Sequence, residues 1–439
     1  MAHTDSRGLP ISTSSAEAAR LYREGIDLLL SAWPGAFETL LRAIEADPDF
    51  ALAQAALARL HAIRAEPAEA RTRIGAAAEL AGRNGTTREQ SHIATLSFAV
   101  SGQAKKALDS ALAHLERWPR DVLVLSLPLG AFGLFAFSGM ADHDQARVDL
   151  CERIAPHFTT DDWWFLTYRG WSHAENGNVR HGRDLTQRGF DLRRANANGA
   201  HALSHAMFEQ GAGQDAEALI AGWLPTYDRS GTLHGHIAWH AALSALERDD
   251  PDGALATYER HVQPSVSLGL PINIMTDAVS LLWRLRAYGY DVPVRLWEDA
   301  KVYSEGKFPK AGFSFVDAHM GLLSAATGDR TAAATRIDAL TSLVEEGTLA
   351  AGPVVPAICR AALAFADGDY AGCVRILEPM SREVSRIGGS GAQREVIEDT
   401  LLLALMRSGE VQKARDLLDK RLHRRPSSRD TRWLAEISA

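Results

Sequence analysis

Cysteine is scarce in this chain. Cys151, Cys359 and Cys373 are the only three among 439 residues. They are too few and too scattered for a disulfide framework or a cysteine-based zinc site. Buried, reduced thiols are the reading left, and they suit a cytoplasmic protein. Basic blocks are missing too. The formal net charge is −8, and the nearest cluster is Lys420-Arg421-Leu422-His423-Arg424-Arg425. That cluster reads as a helix C-terminus, whose exposed carbonyls favour cations. No nucleic-acid partner is therefore expected. The longest apolar run, near Val122–Phe137, is broken by Ser126, Pro128, Gly130 and Gly133 and is too short to span a bilayer. The opening Met1–Arg7 leads into no apolar stretch of the signal-peptide kind, so no membrane partner is expected. There is no P-loop, no Gly-x-Gly-x-x-Gly, no His-Glu-x-x-His and no Gly-x-Ser-x-Gly elbow.

What is present is helical. Hydrophobic residues make up 46% and charged residues 23%, enough apolar material for a buried core and too little charge for disorder. Apolar residues recur at helical spacing, as in Leu21, Ile26, Leu29 and Leu30. Short turns punctuate the alanine-rich stretches at Gly102-Gln103, Gly177-Asn178, Gly213-Gln214, Asp250-Pro251, Gly328-Asp329, Gly368-Asp369 and Gly409-Glu410. The step is 36 residues from Gly177 to Gly213, 40 from Gly328 to Gly368 and 41 from Gly368 to Gly409. Those are helix-pair repeat lengths. A small residue stands five positions after several of the glycines, at Ala107, Cys373 and Ala414, where two helices must approach closely. Pro48, Pro119 and Pro426 close units, because proline cannot continue a helix.

The fold this predicts is all-α: a right-handed superhelix, or α-solenoid, of about seven to nine tetratricopeptide-like helix pairs. It reads as a single array over residues 1–439. Leu268–Pro271 and Gly306–Gly312 break the period and mark a bend or inserted loop near 265–312, and Pro34-Gly35 breaks it near the start. The large apolar end faces of such an array make a homo-oligomer an expectation.

The residues with chemistry are mainly histidines. His201/His205 and His236/His240 are i, i+4 pairs, each on one helix face, in consecutive units. His92, His205, His240 and His319 each fall about eight to ten residues before a turn, in the first half of the helix that lines the concave groove of such an array. Two readings stand. In one, the histidines converge as general acid and base (His205, His240, His319) or as ligands of a divalent metal. The metal candidates are His201, His205, His236 and His240, with His319 or Asp317 as a further ligand. In the other they are hydrogen-bonded packing groups between helices. Glu209, four residues after His205, either orients that imidazole, acts as a ligand, or is a solvated helix-end residue. Gly388-Gly389-Ser390-Gly391 precedes Gln393 and Arg394. It is either an anion-binding turn, with Arg394 as a bidentate grip, or a helix–helix loop in which Ser390 caps the next helix. Trp164, Tyr168 and Trp171 share a face, as a core stripe with one ring at the groove.

Several segments resemble the tetratricopeptide-repeat protein 38 family. They are Leu9-Pro10-Ile11-Ser12-Thr13-Ser14-Ser15, Thr87-Arg88-Glu89-Gln90-Ser91-His92, the pairs His201/His205 and His236/His240, Asp317-Ala318-His319, and Ile387-Gly388-Gly389-Ser390-Gly391-Ala392-Gln393-Arg394. They occur in family order through nearly the whole chain. The match departs at Gly391, where a larger polar residue is common. The resemblance implies a helical-repeat fold and assigns no reaction.

Two functions follow. The first is a binding protein that holds a peptide, a partner protein or a small ligand in its concave groove. Candidate contacts are His92, Trp164, Tyr168, His201, His236, Asp317, Gln393 and Arg394. The second is a small-molecule enzyme built on the histidine cluster. A closed pocket with clustered histidines favours the enzyme, and an open groove with dispersed ones favours the scaffold.

Overall fold

The computed structural model describes residues 3–438. Helices pair in chain order: α1 (Ala16–Leu30) with α2 (Ala36–Ala46), α3 (Ala51–Ile63) with α4 (Pro67–Asn84), and α5 (Thr87–Val100) with α6 (Ala104–Arg117). The short α7 (Val122–Leu125) and α8 (His143–Ile154) bracket an irregular stretch. Pairing resumes with α9 (Trp163–Glu175) and α10 (Val179–Leu192), α11 (Ala197–Glu209) and α12 (Gly213–Trp223), and α13 (His234–Glu247) and α14 (Pro251–Thr257). It continues with α15 (Pro271–Tyr288) and α16 (Val294–Lys307), α17 (Ser314–Thr327) and α18 (Arg330–Glu345), α19 (Val354–Ala366) and α20 (Tyr370–Leu377), and α21 (Gly391–Arg407) and α22 (Val411–Arg424). A last helix, α23 (Ser428–Glu436), follows. The odd-numbered helices from α9 to α21 touch one another in succession and form the inner layer of an all-α solenoid.

The turn glycines explain the pairing. Gly102, Gly177, Gly328, Gly368 and Gly409 all have positive φ, a backbone that ends one helix and aims the next back along it. At two turns the reversal sits slightly earlier than the sequence suggests. Gly211 takes positive φ while Gly213 already opens α12, and Asp249 does so while Asp250 caps α14 through Gly253 N–H. Ala107, Cys373 and Ala414 are fully buried at helix contacts. α9 and α10 approach closely. A Cβ on Gly182 would lie 2.6 Å from both Ala174 N and Gly170 O.

The inner layer does not leave an open trough. The segment between α7 and α8 crosses it, and its Phe132 and Phe137 stack on each other and pack against Phe315. Beyond the crossing, Arg394 pairs with Asp144 at 2.9 Å, and Ser385 Oγ donates to Ala141 O. This apolar stretch, read from sequence only as too short for a membrane, is the largest break in the repeat period. A second closure joins units far apart in the chain. Ala197 N–H donates to Ser31 O at 2.9 Å, Tyr227 O–H donates to Ala32 O, and Trp33 packs against Trp223 and Tyr227. A third ties α23 to α13: Arg425 and Ser427 hold Glu247 at 2.9 and 2.7 Å. Among the described residues no helix is long and apolar enough to cross a membrane.

Candidate functional site

Four successive inner helices build the site. α11 supplies His201 and His205, and α13 supplies His236 and His240, each pair one turn apart on the inward face. α11 starts where Asn196 caps it, accepting from Gly199 N–H at 3.0 Å. A Cβ on Gly199 would press on that same Asn196 side chain, at 2.7 Å. The two pairs meet. One ligand-type atom from each of the four imidazoles lies within 4.8 Å of the other three. His201 Nε2 stands 3.0 Å from His236 Nε2 and 3.2 Å from His240 Nε2.

The flanking helices each add one carboxylate. Asp277 on α15 faces His236 Nδ1 at 2.8 Å. Glu175, the last residue of α9, lies 3.0 Å from His205 Nδ1, at an angle too oblique for a closed hydrogen bond. An imidazole that shares its Nδ1 proton with a carboxylate presents a bare Nε2 lone pair on its other side. His236, bonded to Asp277 through Nδ1, therefore turns its Nε2 lone pair toward His201. Both ring nitrogens of His205 and Nδ1 of His240 are buried with no hydrogen-bond partner.

Burial and the neighbouring imidazoles hold His201 and His240 well below the usual imidazole range, so both are neutral at physiological pH. Burial raises the Asp277 carboxyl, and His236 works against that rise. Burial acts to raise Glu175 as well, but His205, the Gly391 N–H at 2.7 Å and Arg394 outweigh it and bring the carboxyl down to about 2. The Gly-rich turn does offer its backbone to an anion, and that anion is the chain's own Glu175. The same turn carries a capping box, Ser390 with Gln393, so its two readings coexist. The Gln393 carboxamide also favours the ionised form of Asp277, without a closed hydrogen bond.

The cluster borders a cavity of about 380 Å³. His201, His236, Asn273, Tyr168, Trp171 and Arg59 line it, together with the crossing segment and aliphatic side chains of α1 and α3. A second, more polar cavity of about 310 Å³ lies behind Glu175 and includes Glu209, Arg394 and Arg424.

Other expected site residues lie elsewhere. His319 is buried in α17, its Nδ1 donating to Phe315 O at 2.8 Å, and it is not in the cluster. Asp317 pairs with Arg336 and accepts from Gly312 N–H. His92 belongs to a separate buried network around Asp121, with Arg88 and His114. Trp164 is wholly core, whereas Tyr168 and Trp171 reach the cavity. Glu209 does not orient His205; it lines the second cavity, where burial raises its carboxyl. Arg394 is bound to Asp144 and Gly389 O. Sequence reasoning passed over Glu175, Asp277 and Arg59. The first two carry no distinguishing signal, since Glu209, Glu247 and Asp317 are equally the lone acids of their inner helices.

No family model matches the chain. Similar solved structures include yeast Tom70, at 12% identity over 96% of this chain and 95% of that one, with a TM-score of 0.35. A human IFIT1 dimer with m7Gppp-AAAA is 11% identical over 94% and 96%, with a TM-score of 0.42. The tetratricopeptide-repeat domain of P58(IPK) is 12% identical over 91% and 100%, with a TM-score of 0.21.

Proposed function

We propose that this chain is a metal-dependent enzyme acting on a small molecule, and that the reactive centre is the four-histidine cluster at the wall of the 380 Å³ cavity. The observation that carries the proposal is the convergence of four imidazoles with two of their Nδ1 atoms at carboxylates. In a tetrahedral site with bonds near 2.0–2.1 Å, ligand nitrogens stand about 3.3 Å apart. The 3.0 and 3.2 Å separations around His201 are close to that. A carboxylate behind a ligating histidine fixes its tautomer and raises its basicity, and Glu175 and Asp277 stand in that position. An all-imidazole donor set suits zinc, iron, nickel or copper and does not suit magnesium or calcium.

His205, His236 and His240 are buried and form the fixed part of the set; His201 is partly exposed and borders the cavity. Four imidazoles fill a tetrahedral set, so a water or a substrate atom would reach the ion as a fifth ligand, from the cavity face at His201. The volume and the crossing segment favour a small occupant over an extended peptide. The motif order along the chain supports membership of the tetratricopeptide-repeat protein 38 family.

The test is metal content of the full chain by mass spectrometry, beside a His205→Ala/His240→Ala variant. One zinc, iron, nickel or copper per chain, lost in the variant, is the expected result. Absence of metal after incubation with Zn²⁺ or Co²⁺, in wild-type chain that is folded, overturns it.

A further inference from the structure

The cavity beside the histidines has a one-sided charge. Its lining contains two arginines, Arg59 and Arg64, and neither an aspartate nor a glutamate, in a chain whose net charge is −8. Arg59 projects from α3 and is partly buried, with its Nε shielded from solvent and without a partner. Among the described residues the charge-type neighbour that acts on it is the Tyr168 hydroxyl, and burial pulls its guanidinium down to about 10. Elsewhere this protein pairs its buried arginines densely: Arg421 alone meets Glu395, Glu398, Asp399 and Asp430. A partly buried guanidinium whose Nε is shielded and unpaired carries a desolvation cost, and one facing a cavity is supplied with its partner by whatever enters.

We infer that the natural substrate is a small amphiphilic carboxylate, its anionic head paired with Arg59 and its body against the leucines of α1 and α3. This deepens the proposed function and rests on the same cavity being the substrate site. A monoanion matches one interior guanidinium; Arg64, exposed and stacked over Phe37 at 4.8 Å, stands on the solvent side. A phosphate dianion would call for more donors than Arg59 alone offers. The apolar body has its place against Leu28, Leu29, Leu60 and Ile63. A guanidinium grips a carboxylate through two parallel hydrogen bonds, an arrangement a lysine does not reproduce.

The experiment uses the full-length chain, stripped of metal by chelation, so that binding is read without turnover. Straight-chain carboxylates from butanoate to dodecanoate are titrated by calorimetry at pH 7, with the alcohol, amine and alkyl phosphate of each length. At least one carboxylate is expected to bind about tenfold or more tightly than its alcohol, amine and phosphate. Arg59→Met is expected to lose that preference, and Arg59→Lys to restore only part of it. The methionine variant is also expected to melt no lower than wild type, because it removes an unpaired buried charge. Carboxylate selectivity that depends on Arg59 supports the inference even if no metal is ever found. No carboxylate preferred at any length overturns it, with or without a metal at the histidines. So does an Arg59→Met variant that keeps the preference, whatever its melting temperature.

Discussion

His319 offers a quantitative check on which histidines work and which pack. It is buried in α17 and donates from Nδ1 to Phe315 O, and burial brings its imidazole down to about 4 against about 6.5 in the unfolded chain. The opposing hydrogen bond to Phe315 raises it somewhat, and Arg284 lowers it further. Because the folded value is the lower one, the unfolded state takes up the proton first. The stability at stake is intact above pH 6.5 and is lost as the pH falls from 6.5 towards 4. At 1.36 kcal/mol per unit the full loss is about 3.4 kcal/mol, of which about 2 kcal/mol has gone by pH 5. Asparagine puts an amide donor where Nδ1 stood and does not titrate, so His319→Asn is the clean perturbation. Denaturant unfolding of both proteins at pH 7.5 and pH 5.0 gives a double difference that removes every other titrating group. Wild type is expected to lose about 2 kcal/mol more than the variant over that range. Equal losses in the two proteins would show that His319 is protonated or solvated in the folded state and refute the burial argument.

Two further outcomes follow from packing and charge. Gly182→Ala places a methyl where Ala174 N and Gly170 O already stand, so thermal unfolding is expected to show a loss of about 1–3 kcal/mol. Gly75→Ala, on α4 with nothing within 4 Å, is expected to gain about 0.5–1 kcal/mol in the same assay. Glu247→Ala leaves Arg425 with Glu395 alone and takes the acceptor from Ser427 Oγ, so a loss of about 1–3 kcal/mol and faster tryptic cleavage within α23 are expected; unchanged cleavage would mean that α23 is held by other contacts.

The helix pairs were legible in the sequence because each depends on local chemistry, a glycine that reverses the chain and a small residue at the crossing. The meeting of His201, His205, His236 and His240 was legible for the same reason, since α11 and α13 are neighbours in the array. His92 and His319 occupy the same register in their own units but sit on α5 and α17. Equal register joined the histidines of adjacent α11 and α13, whereas His92 and His319 bond within other networks, to Asp121 and to Phe315 O. Glu175 and Asp277 went unread because an isolated acid has no spacing to betray it. Arg59 was hidden for another reason: its distinction is the absence of a counter-ion, which no sequence pattern records. The crossing segment was invisible as a plug because its partners, such as Phe315, lie far along the chain.

The bond from Ala197 to Ser31, with Tyr227 on Ala32, also bears on how such a chain can change over generations. In a tandem array whose units touch only their neighbours, a duplicated or deleted unit merely lengthens or shortens the stack. Here a unit gained or lost between residues 32 and 197 would carry Trp33 away from Trp223 and dismantle that seam. The number of helix pairs in that span is therefore locked, and insertions are confined to outward-facing turns.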